Sequence, residues 1–432
     1  MRLAYSLLLY LLSPLVLGYL AWRSLRQPDY RGRWGERFGW LRGDLPRDCL
    51  WIHAASMGEV QAAATFIRQI QGRYPGQPLL VTTMTPTGAA QVHNLFGEDV
   101  HHCYLPFDLP HAVARFFSVT RPRLALVVEM ELWPNLFHAI RQRGIPFLLV
   151  NARLSERSAR GYRRLGRFMT EVLSCPDRIC AQSSDDAHRL REIGAPPRRV
   201  VVTGSLKFDQ QIPASAREQG ESLRRQLGND RHVWIAASTR EGEEEQILTA
   251  HEEIRRSVAE VLLILVPRHP DRFTSVYSLC RERGYRVCRR SDAVPCPPET
   301  DIYLGDTMGE LPVLYAASDV AFVGGSLVPM GAHNLLEPAA LGLPVLVGPH
   351  TFNFAQITRQ LLRAGGCEQV VDAHLLADVV TELLEDPERR ATMGGRALDL
   401  VKANRGAVER MLAEVDRVVE DANAWMGVKE GS

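Results

Sequence analysis

The feature that most constrains this 432-residue chain is a repeated alternation of short, uninterrupted apolar segments with amphipathic helical patterns. The first series of apolar segments is LWIHAAS from Leu50, LLVTTM from Leu79, LALVVEM from Leu124, FLLVNAR from Phe147, RICAQS from Arg178 and VVVTGS from Val200. A second series is VWIAAST from Val233, VLLILVPRH from Val261, DIYLGD from Asp301, VAFVGGS from Val320 and PVLVGP from Pro344. Strands that are apolar throughout and alternate with helices are typical of parallel sheets covered on both faces. The chain is therefore predicted to be an α/β protein.

The alternation breaks once, at residues 209–230, where Pro213 and a run of charged and polar residues interrupt it. Because single cores stop growing at about 250–300 residues, a chain of this length favours two domains. We predict two Rossmann-like, doubly wound lobes, at 49–208 and 231–400, with a linker at 209–230 and a cleft between the lobes. Residues 401–432 are predicted to form a C-terminal helix that packs back, with a tail. In such sheets, ligands bind beyond the carboxyl ends of the strands.

The N-terminus reads as a membrane segment. Residues Leu3 to Trp22 carry no charge, and twenty helical residues reach about 30 Å, the thickness of a bilayer core. This apolar stretch is longer than the core of a signal peptide, and no small-residue cleavage site follows it. Residues 1–22 are therefore predicted to be a membrane-anchor helix. Because Pro14 lies in the middle of the segment, a spanning, a re-entrant and a surface-lying helix all stay open.

The segment that follows, residues 23–48, is basic and aromatic. Residues 23–47 contain seven arginines and only three acidic residues. By the positive-inside rule, this excess of positive charge places the body of the protein on the cytoplasmic side. The stretch RGRWGERFGWL, Arg31 to Leu41, suits a surface of anionic lipid, with aromatic rings at headgroup depth and guanidinium groups on phosphates. A snorkelling juxtamembrane helix without a specific ligand explains the same pattern.

Composition and missing motifs exclude several classes of protein. The formal net charge is only +1, so no nucleic-acid partner is predicted. None of the eight cysteines forms a C-x-x-C pair, which argues against a zinc or redox centre and for free thiols in a reducing compartment. The chain lacks G-x-G-x-x-G, G-x-x-x-x-G-K-[ST] and G-x-S-x-G, which argues against dehydrogenases, P-loop enzymes and α/β-hydrolases.

The first polar cluster at a strand end is HAASMGE, residues 53–59. Ser56 and Glu59 form the pattern of a capping box, which by itself explains both residues. Related patterns are Ser238-x-x-Glu241, Thr307-x-x-Glu310 and Asn334-x-x-Glu337. Because helix N-termini attract anions, four such helices could form an anion site in one cleft.

Two further clusters carry charge at predicted strand ends in the first lobe. In EMELWPN, Glu129 and Glu131 are costly to bury unless they are paired or functional, and a metal-binding carboxylate pair is one alternative. In TGSLKFD, Lys207 directly follows a strand, where its charge could meet an anionic substrate or be solvated.

The second lobe has two such clusters. In LVPRHPDRF, Arg268 and His269 follow a strongly apolar strand, where a nucleotide phosphate or base edge would give them a partner. In the glycine-rich run from Gly324 to His350, Asn334 can cap a helix beginning at Leu335. Glu337 could accept hydrogen bonds from a ribose diol or simply complete that cap.

With these blocks the chain resembles the 3-deoxy-D-manno-octulosonic acid (Kdo) transferases of Gram-negative bacteria. The resemblance rests on ten ordered blocks: RGRWGERFG, HAASMGE, TTMTPTGA, EMELWPN, NARLSERS, TGSLKFD, ASTREGEEE, PRHPDRF, GDTMGELP and GAHNLLEPAALGLPV. It implies a GT-B fold and inverting transfer without a metal or other cofactor. It also implies CMP-Kdo as the donor, bound by the second lobe, and lipid IVA, a lipid A precursor of lipopolysaccharide, as the acceptor on the first.

The resemblance also implies roles for individual residues. Glu59 corresponds to the general base of the family, and Glu129 and Lys207 to positions that stabilise the transition state. CMP contacts are implied for Pro267, Arg268, Met308, Gly309, Glu310, Asn334, Leu335, Leu336 and Glu337. Two alternatives stay open: a GT-B transferase that uses a UDP-sugar on another lipid intermediate, and a membrane-anchored sugar-nucleotide binder without catalysis.

Overall fold

The computed structural model describes residues 1–41, 43, 45–209 and 212–430, with side chains described as far as residue 422. Several predicted positions therefore lie outside the described residues: Arg42 and Asp44 of the basic segment, Gln210 and Gln211 of the linker, and 431–432 of the tail. The chain forms two compact units. Unit 1 comprises residues 1–210 and 405–432, and unit 2 comprises residues 211–404.

Unit 1 contains a parallel sheet of seven strands in the order β3-β2-β1-β4-β5-β6-β7. Its strands are β1 Leu50–His53, β2 Leu79–Thr83, β3 His101–Tyr104, β4 Leu124–Val128, β5 Phe147–Ala152, β6 Arg178–Ala181 and β7 Val200–Val202. Its helices are α1 Arg2–Arg26, α2 Met57–Arg73, α3 Pro86–Phe96, α4 Pro110–Thr120, α5 Pro134–Gln142, α6 Glu156–Arg163, α7 Arg167–Leu173, α8 Ser184–Glu192 and α17 Ala407–Glu430. Strand order reverses between β1 and β4, which makes the carboxyl end of this pair the expected ligand position.

Unit 2 contains a second parallel sheet of seven strands, in the order β10-β11-β9-β8-β12-β13-β14. Its strands are β8 His232–Thr239, β9 Val261–Pro267, β10 Val287–Arg289, β11 Ile302–Leu304, β12 Val320–Val323, β13 Val345–Val347 and β14 Cys367–Gln369. Its helices are α9 Ala214–Leu227, α10 Glu244–Ser257, α11 Phe273–Glu282, α12 Leu311–Ala316, α13 Leu336–Leu341, α14 Ala355–Ala364, α15 Ala373–Glu385 and α16 Pro387–Asn404. The corresponding reversal of strand order lies between β8 and β12.

The predicted α/β class with doubly wound parallel sheets is confirmed in both units. The apolar segments all contribute strands, but β3, β10 and β14 were not predicted. Each of these three lies at an edge of its sheet. An edge strand is less covered than a central one, so its sequence lacks the continuous apolar run by which central strands are recognised.

The segment predicted as the linker contains α9, whose Leu223 and Leu227 are buried in the core of unit 2. Residues 401–404, predicted as the start of the C-terminal helix, are instead the end of α16, which stops at Asn404. The next helix, α17, begins at Ala407. The carboxylate of Asp209 accepts hydrogen bonds from backbone N–H groups at the start of α17, at 2.7 Å from Gly406 and 2.6 Å from Val408. These bonds satisfy donors that have no partner within the helix.

Helix α1 packs along unit 1 through polar side chains in its N-terminal half. It is the one described helix that is long and apolar enough to cross a bilayer, judged by length and composition alone. The contacts are Tyr5 to Asp108 at 3.0 Å, Ser6 to Asn135 at 3.0 Å and Tyr10 to His111 at 2.6 Å. On another face, Leu3, Leu7, Leu11 and Leu15 repeat every four residues and are each at least 70% exposed. Helix α1 therefore has one face against protein and an apolar face without a protein partner among the described residues.

The basic and aromatic segment after α1 packs against unit 1. Glu36 and Arg37 are buried, and the Glu36 carboxylate accepts the backbone N–H of Tyr104 at 2.9 Å. The Arg37 guanidinium donates to the Met84 carbonyl at 3.0 Å, and the Arg33 guanidinium lies 4.8 Å from the centre of the Tyr104 ring. These two arginines therefore bind protein groups, although the pattern also suited lipid phosphates.

Candidate functional site

The turn after β1 places Glu59 beside the point where strand order reverses in unit 1. Ser56 is the N-cap of α2, and its hydroxyl accepts the N–H of Glu59 at 3.3 Å and donates to Glu59 Oε1 at 3.0 Å. Glu59 Oε2 accepts the N–H of Ala55 at 2.7 Å. The predicted N-cap at Ser56 is thus confirmed, but the Glu59 carboxylate accepts the N–H of Ala55 rather than that of Ser56, so the second hydrogen bond of the capping box is displaced by one residue. Together these hydrogen bonds hold the Glu59 carboxylate in one orientation at the carboxyl end of the sheet.

The environment of Glu59 raises the pKa of its carboxyl to about 7. Burial is the largest cause, and the negative charges of Glu129 and Glu131 add to it. The hydrogen bonds from Ala55 and Ser56 act in the opposite direction. A carboxyl with a pKa near neutral pH is well suited to accept a proton in catalysis.

Glu129 directly follows β4, the strand beside β1, and has a left-handed backbone with φ of 61°. Its N–H donates to the Val150 carbonyl at 2.9 Å, which holds this residue at the end of the sheet. Burial raises the pKa of the Glu129 carboxyl, while the charges of Lys207 and Arg153 lower it. A left-handed conformation in a residue other than glycine is unfavourable, and such conformations concentrate at functional sites.

Lys207 lies in a 3₁₀ turn, Leu206–Asp209, just after β7. Asn151, which is itself left-handed with φ of 55°, accepts the N–H of Leu206 at 3.1 Å and so ties this turn to β5. Burial lowers the pKa of the Lys207 ammonium group, and the charge of Glu129 opposes that change. The structure thus brings Glu59, Glu129 and Lys207 into one electrostatic network, which the sequence suggested only through the resemblance.

Arg153 is a member of this network that was not predicted. It affects the pKa values of both Glu129 and Lys207, lowering each. The signal was its presence in the block NARLSERS, directly after β5. Among the described residues, no group of three or more histidine, cysteine or acidic side chains is arranged to hold a metal ion.

In unit 2, Pro267 ends β9 and Arg268 follows it, with the Arg268 N–H donating to the Thr239 carbonyl at 3.1 Å. Burial raises the pKa of the Glu337 carboxyl, whereas the amide of Asn334 and the charge of Arg268 lower it. Asn334 donates to Glu337 Oε1 at 2.9 Å and accepts the N–H of Leu336 at 3.1 Å. Asn334 and Glu337 are therefore hydrogen-bonded to each other, and the charge of Arg268 acts on the Glu337 carboxyl.

The other predicted CMP-binding residues lie in two regions, the start of α13 and the turn before α12. The side chains of Leu335 and Leu336 are buried in the core, so only their backbone groups can meet a ligand. Met308 is 60% exposed, and Gly309 has a φ of 83° that favours glycine. The Glu310 carboxylate pairs with Arg290 at 2.7 Å.

The other helix caps differ from the patterns in the sequence. The pattern from Ser238 to Glu241 is not a capping box, because α10 begins only at Glu244. Thr307 donates to the Glu310 side chain, but α12 begins at Leu311, so Thr307 is not its N-cap. Helices α12 and α13 each have only six residues, and α13 begins at Leu336 rather than Leu335. Helices this short offer a weak dipole for anion binding.

A basic cluster that was only partly predicted surrounds Arg268. The Arg240 side chain donates to His333 Nε2 at 3.2 Å and also contacts His269 Nε2. The pKa of His333 is lowered to about 4 by burial and by the nearby arginines Arg240 and Arg268. Arg240, His269 and His333 follow β8, β9 and β12, which are neighbours in the sheet. Only this adjacency, which the sequence does not display, brings the three residues together.

Comparison with known proteins gives the following similarities. The sequence model of a family described as 3-Deoxy-D-manno-octulosonic-acid transferase (kdotransferase) matches residues 32–210. A 3-deoxy-D-manno-octulosonic acid transferase of Haemophilus influenzae is 41% identical over 95% of this chain and 97% of its own length. One of Bordetella pertussis is 38% identical over 98% of this chain and 99% of its own length.

Solved structures show the same architecture. The crystal structure of MurG from Acinetobacter baumannii matches with a TM-score of 0.55 and 14% sequence identity, covering 86% of this chain and 100% of that one. At this identity the likeness concerns the fold alone. It confirms the GT-B fold that the resemblance implied.

Proposed function

We propose that this chain, a glycosyltransferase that belongs to the 3-deoxy-D-manno-octulosonic acid transferase family, transfers Kdo from CMP-Kdo to lipid IVA with inversion at the anomeric carbon. The observation that carries the proposal is Glu59, a carboxyl with a pKa of about 7, oriented by two hydrogen bonds beside the reversal of strand order in unit 1. This combination is what a general base for a sugar-acceptor hydroxyl requires.

In the proposed reaction, an acceptor hydroxyl oxygen attacks the anomeric carbon of Kdo while Glu59 takes the hydroxyl proton. A new carbon–oxygen bond forms to the acceptor, and the bond from the anomeric carbon to the CMP phosphate oxygen breaks. CMP leaves with the electron pair of that bond. A single displacement of this kind inverts the configuration.

The leaving phosphate gathers negative charge as the bond breaks, and Kdo already carries a carboxylate. Arg268 supplies a positive charge, and backbone N–H groups of the turn at Met308 to Glu310 supply donors. Glu337 and Asn334 are suited to bind the ribose hydroxyls. Their connected hydrogen bonds support this assignment.

Lys207 and Glu129 have a different task. Kdo carries a carboxylate beside its reacting carbon, so a direct contact of the Glu129 carboxylate with that part of the donor would bring two negative charges together. Burial destabilises the charged form of Lys207, and the Glu129 carboxylate restores it. We assign Lys207 to the negative charge of the donor and Glu129 to keeping Lys207 charged and oriented.

We assign the protein to the cytoplasmic face of the bacterial inner membrane, with α1 as its single anchor. The contacts of Tyr5, Ser6 and Tyr10 with the rest of unit 1 support a helix that lies along the protein surface. Its exposed leucines would then enter the apolar part of a membrane that contains anionic lipid. A spanning helix would have to give up these contacts.

The double variant Leu7→Glu with Leu11→Glu is expected to lose at least about tenfold in affinity per leucine for phosphatidylethanolamine–phosphatidylglycerol vesicles. Burial of one leucine is worth about 1.5–3 kcal/mol, and each 1.4 kcal/mol is tenfold in affinity. Vesicle flotation measures the change. The matched control is Val294→Glu with Val371→Glu, which alters exposed apolar residues of unit 2. Equal flotation of both double variants would contradict the assignment.

The reaction is tested by incubating purified protein with CMP-Kdo and lipid IVA and recording the lipid by mass spectrometry. We expect the lipid mass to rise by one or more Kdo residues, with the same rate when a chelator is in excess. Loss of activity that Mg²⁺ restores would instead support a metal role for Glu129 and Glu131. Protection of the protein against unfolding by UDP but not by CMP would favour the UDP-sugar alternative. Protection by CMP without any transfer would indicate a binder.

A further inference from the structure

Glu243 is a buried carboxylate that the proposed mechanism does not use. It lies in the turn between β8 and α10, and its side chain accepts hydrogen bonds from four backbone N–H groups. Oε2 accepts from Arg240 at 2.9 Å and Gly325 at 2.6 Å, and Oε1 accepts from Ser326 and Leu327, each at 2.9 Å. A buried charge is unfavourable unless it is satisfied in this way. The four hydrogen bonds satisfy the buried Glu243 carboxylate and connect the loop of Arg240 to the loop of Gly325, Ser326 and Leu327.

The two loops follow β8 and β12, the strands between which strand order reverses in unit 2. Gly324 allows their close approach, because a Cβ there would meet the Ser238 carbonyl oxygen at 2.8 Å. The Ser326 hydroxyl donates to the Val323 carbonyl at 2.6 Å and accepts the N–H of Gly348 at 2.8 Å. The loop after β12 is thus held from two sides, and Glu243 connects it to the backbone of Arg240.

The side chain that this arrangement presents is the Arg240 guanidinium. Its side-chain partners are the imidazoles of His333 and His269, whose pKa values are lowered, first by burial and then by the neighbouring arginines. Neutral imidazoles accept hydrogen bonds without neutralising the guanidinium. Elsewhere in the cluster Arg272 is paired with Glu244 at 3.3 Å, whereas no described carboxylate lies within ion-pair distance of Arg240 or Arg268. Arg240 therefore has capacity for an anion.

We propose that Arg240 binds an acidic group of the sugar-nucleotide donor, and that Glu243 is the positioning residue that holds Arg240 and the loop after β12 in place for it. The inference rests on the proposed function, which supplies a donor with two acidic groups, a phosphate and a sugar carboxylate. Each of these groups presents two oxygen atoms, to which a guanidinium can donate two parallel hydrogen bonds. The position at the reversal of strand order is where a parallel sheet binds its ligand.

The Arg240→Gln variant is expected to raise the KM for CMP-Kdo by about tenfold or more, because a hydrogen bond to a charged group contributes about 1.5–3 kcal/mol. Glu243→Gln is expected to raise the same KM, with kcat within a few-fold of wild type. In the Arg240→Gln background it should add little, since the side chain it positions is gone. A purely structural role would give additive effects instead. Glu244→Gln is the matched control, because it removes a buried carboxylate that binds Thr239 and Arg272 but neither loop backbone.

Calorimetric titration with CMP identifies the acidic group. If CMP binds Arg240→Gln more weakly by the same factor as the KM rises, the phosphate is the partner. If CMP binding is unchanged while the KM rises, the sugar carboxylate is the partner. An Arg240→Gln variant with unchanged KM and unchanged CMP binding, in a protein that transfers Kdo, overturns this inference alone. A folded wild-type protein that transfers no Kdo overturns the proposed function and, with it, the donor assigned to Arg240.

Discussion

Replacing Glu59 with glutamine is expected to lower kcat by about 10²–10⁴-fold, the usual contribution of a general base. Glutamine keeps the shape of the side chain and its Oε1 can still accept the N–H of Ala55, so the turn should survive. The lost function is proton acceptance alone. We therefore expect the KM for CMP-Kdo to change little, because no donor contact is assigned to Glu59. Steady-state assays with lipid IVA as acceptor measure both parameters.

The control for this variant is Ser56→Ala, which removes the N-cap hydroxyl and with it two hydrogen bonds to Glu59, one to Oε1 and one from the backbone N–H, but leaves the carboxylate. Loss of an N-cap typically costs about 1 kcal/mol of stability. Ser56→Ala should therefore melt earlier than wild type yet retain most of its kcat. If Glu59→Gln turns over within a few-fold of wild type, Glu59 is not the base.

The pH dependence of kcat/KM is an independent test of Glu59 as the general base. Glu59 acts when deprotonated, so kcat/KM should rise as pH increases and level off above about 7, the pKa of its carboxyl. The charge of Glu131 raises this pKa, so Glu131→Gln should move the rising limb to lower pH. A limb that stays in place would show that another group controls it.

Replacing Lys207 with methionine is expected to lower kcat by about 10²–10³-fold, the usual effect of removing one preorganised donor to a developing negative charge. Methionine keeps much of the apolar stem and removes the charge. Glu129→Gln should lower kcat in the same direction, because the carboxylate is what favours the charged form of Lys207. Single-turnover measurements separate this change in the chemical step from product release.

If Glu129 acts through Lys207, the double variant should be much less impaired than the product of the two single effects predicts. Lys402→Met, which changes an exposed lysine of unit 2, is the control and should have wild-type activity. Strictly multiplicative effects of Glu129→Gln and Lys207→Met would show that the two residues act independently. A Lys207→Met variant within threefold of wild type would remove Lys207 from the mechanism.

The sequence by itself predicted the α/β class, the parallel sheets and most central strands. Burial on both faces requires uninterrupted apolar segments such as those from Leu124 and Val261, and such segments are visible without any partner. It also predicted the cap formed by Ser56 and Glu59, because both residues belong to one local turn. The edge strands β3, β10 and β14 escaped prediction because their exposure removes that pattern.

Only the tertiary structure decided which charged residues act together. Glu59, Glu129 and Lys207 follow β1, β4 and β7, and their electrostatic coupling depends on strand order rather than on spacing along the chain. The same holds for Glu243, whose partners at Gly325 to Leu327 are more than eighty residues away. Propensity and periodicity are local properties of a sequence, whereas the pKa of a carboxyl depends on every charge and every buried surface around it in space. That is why the fold could be inferred from this sequence while the assembly of its charged groups required the structure.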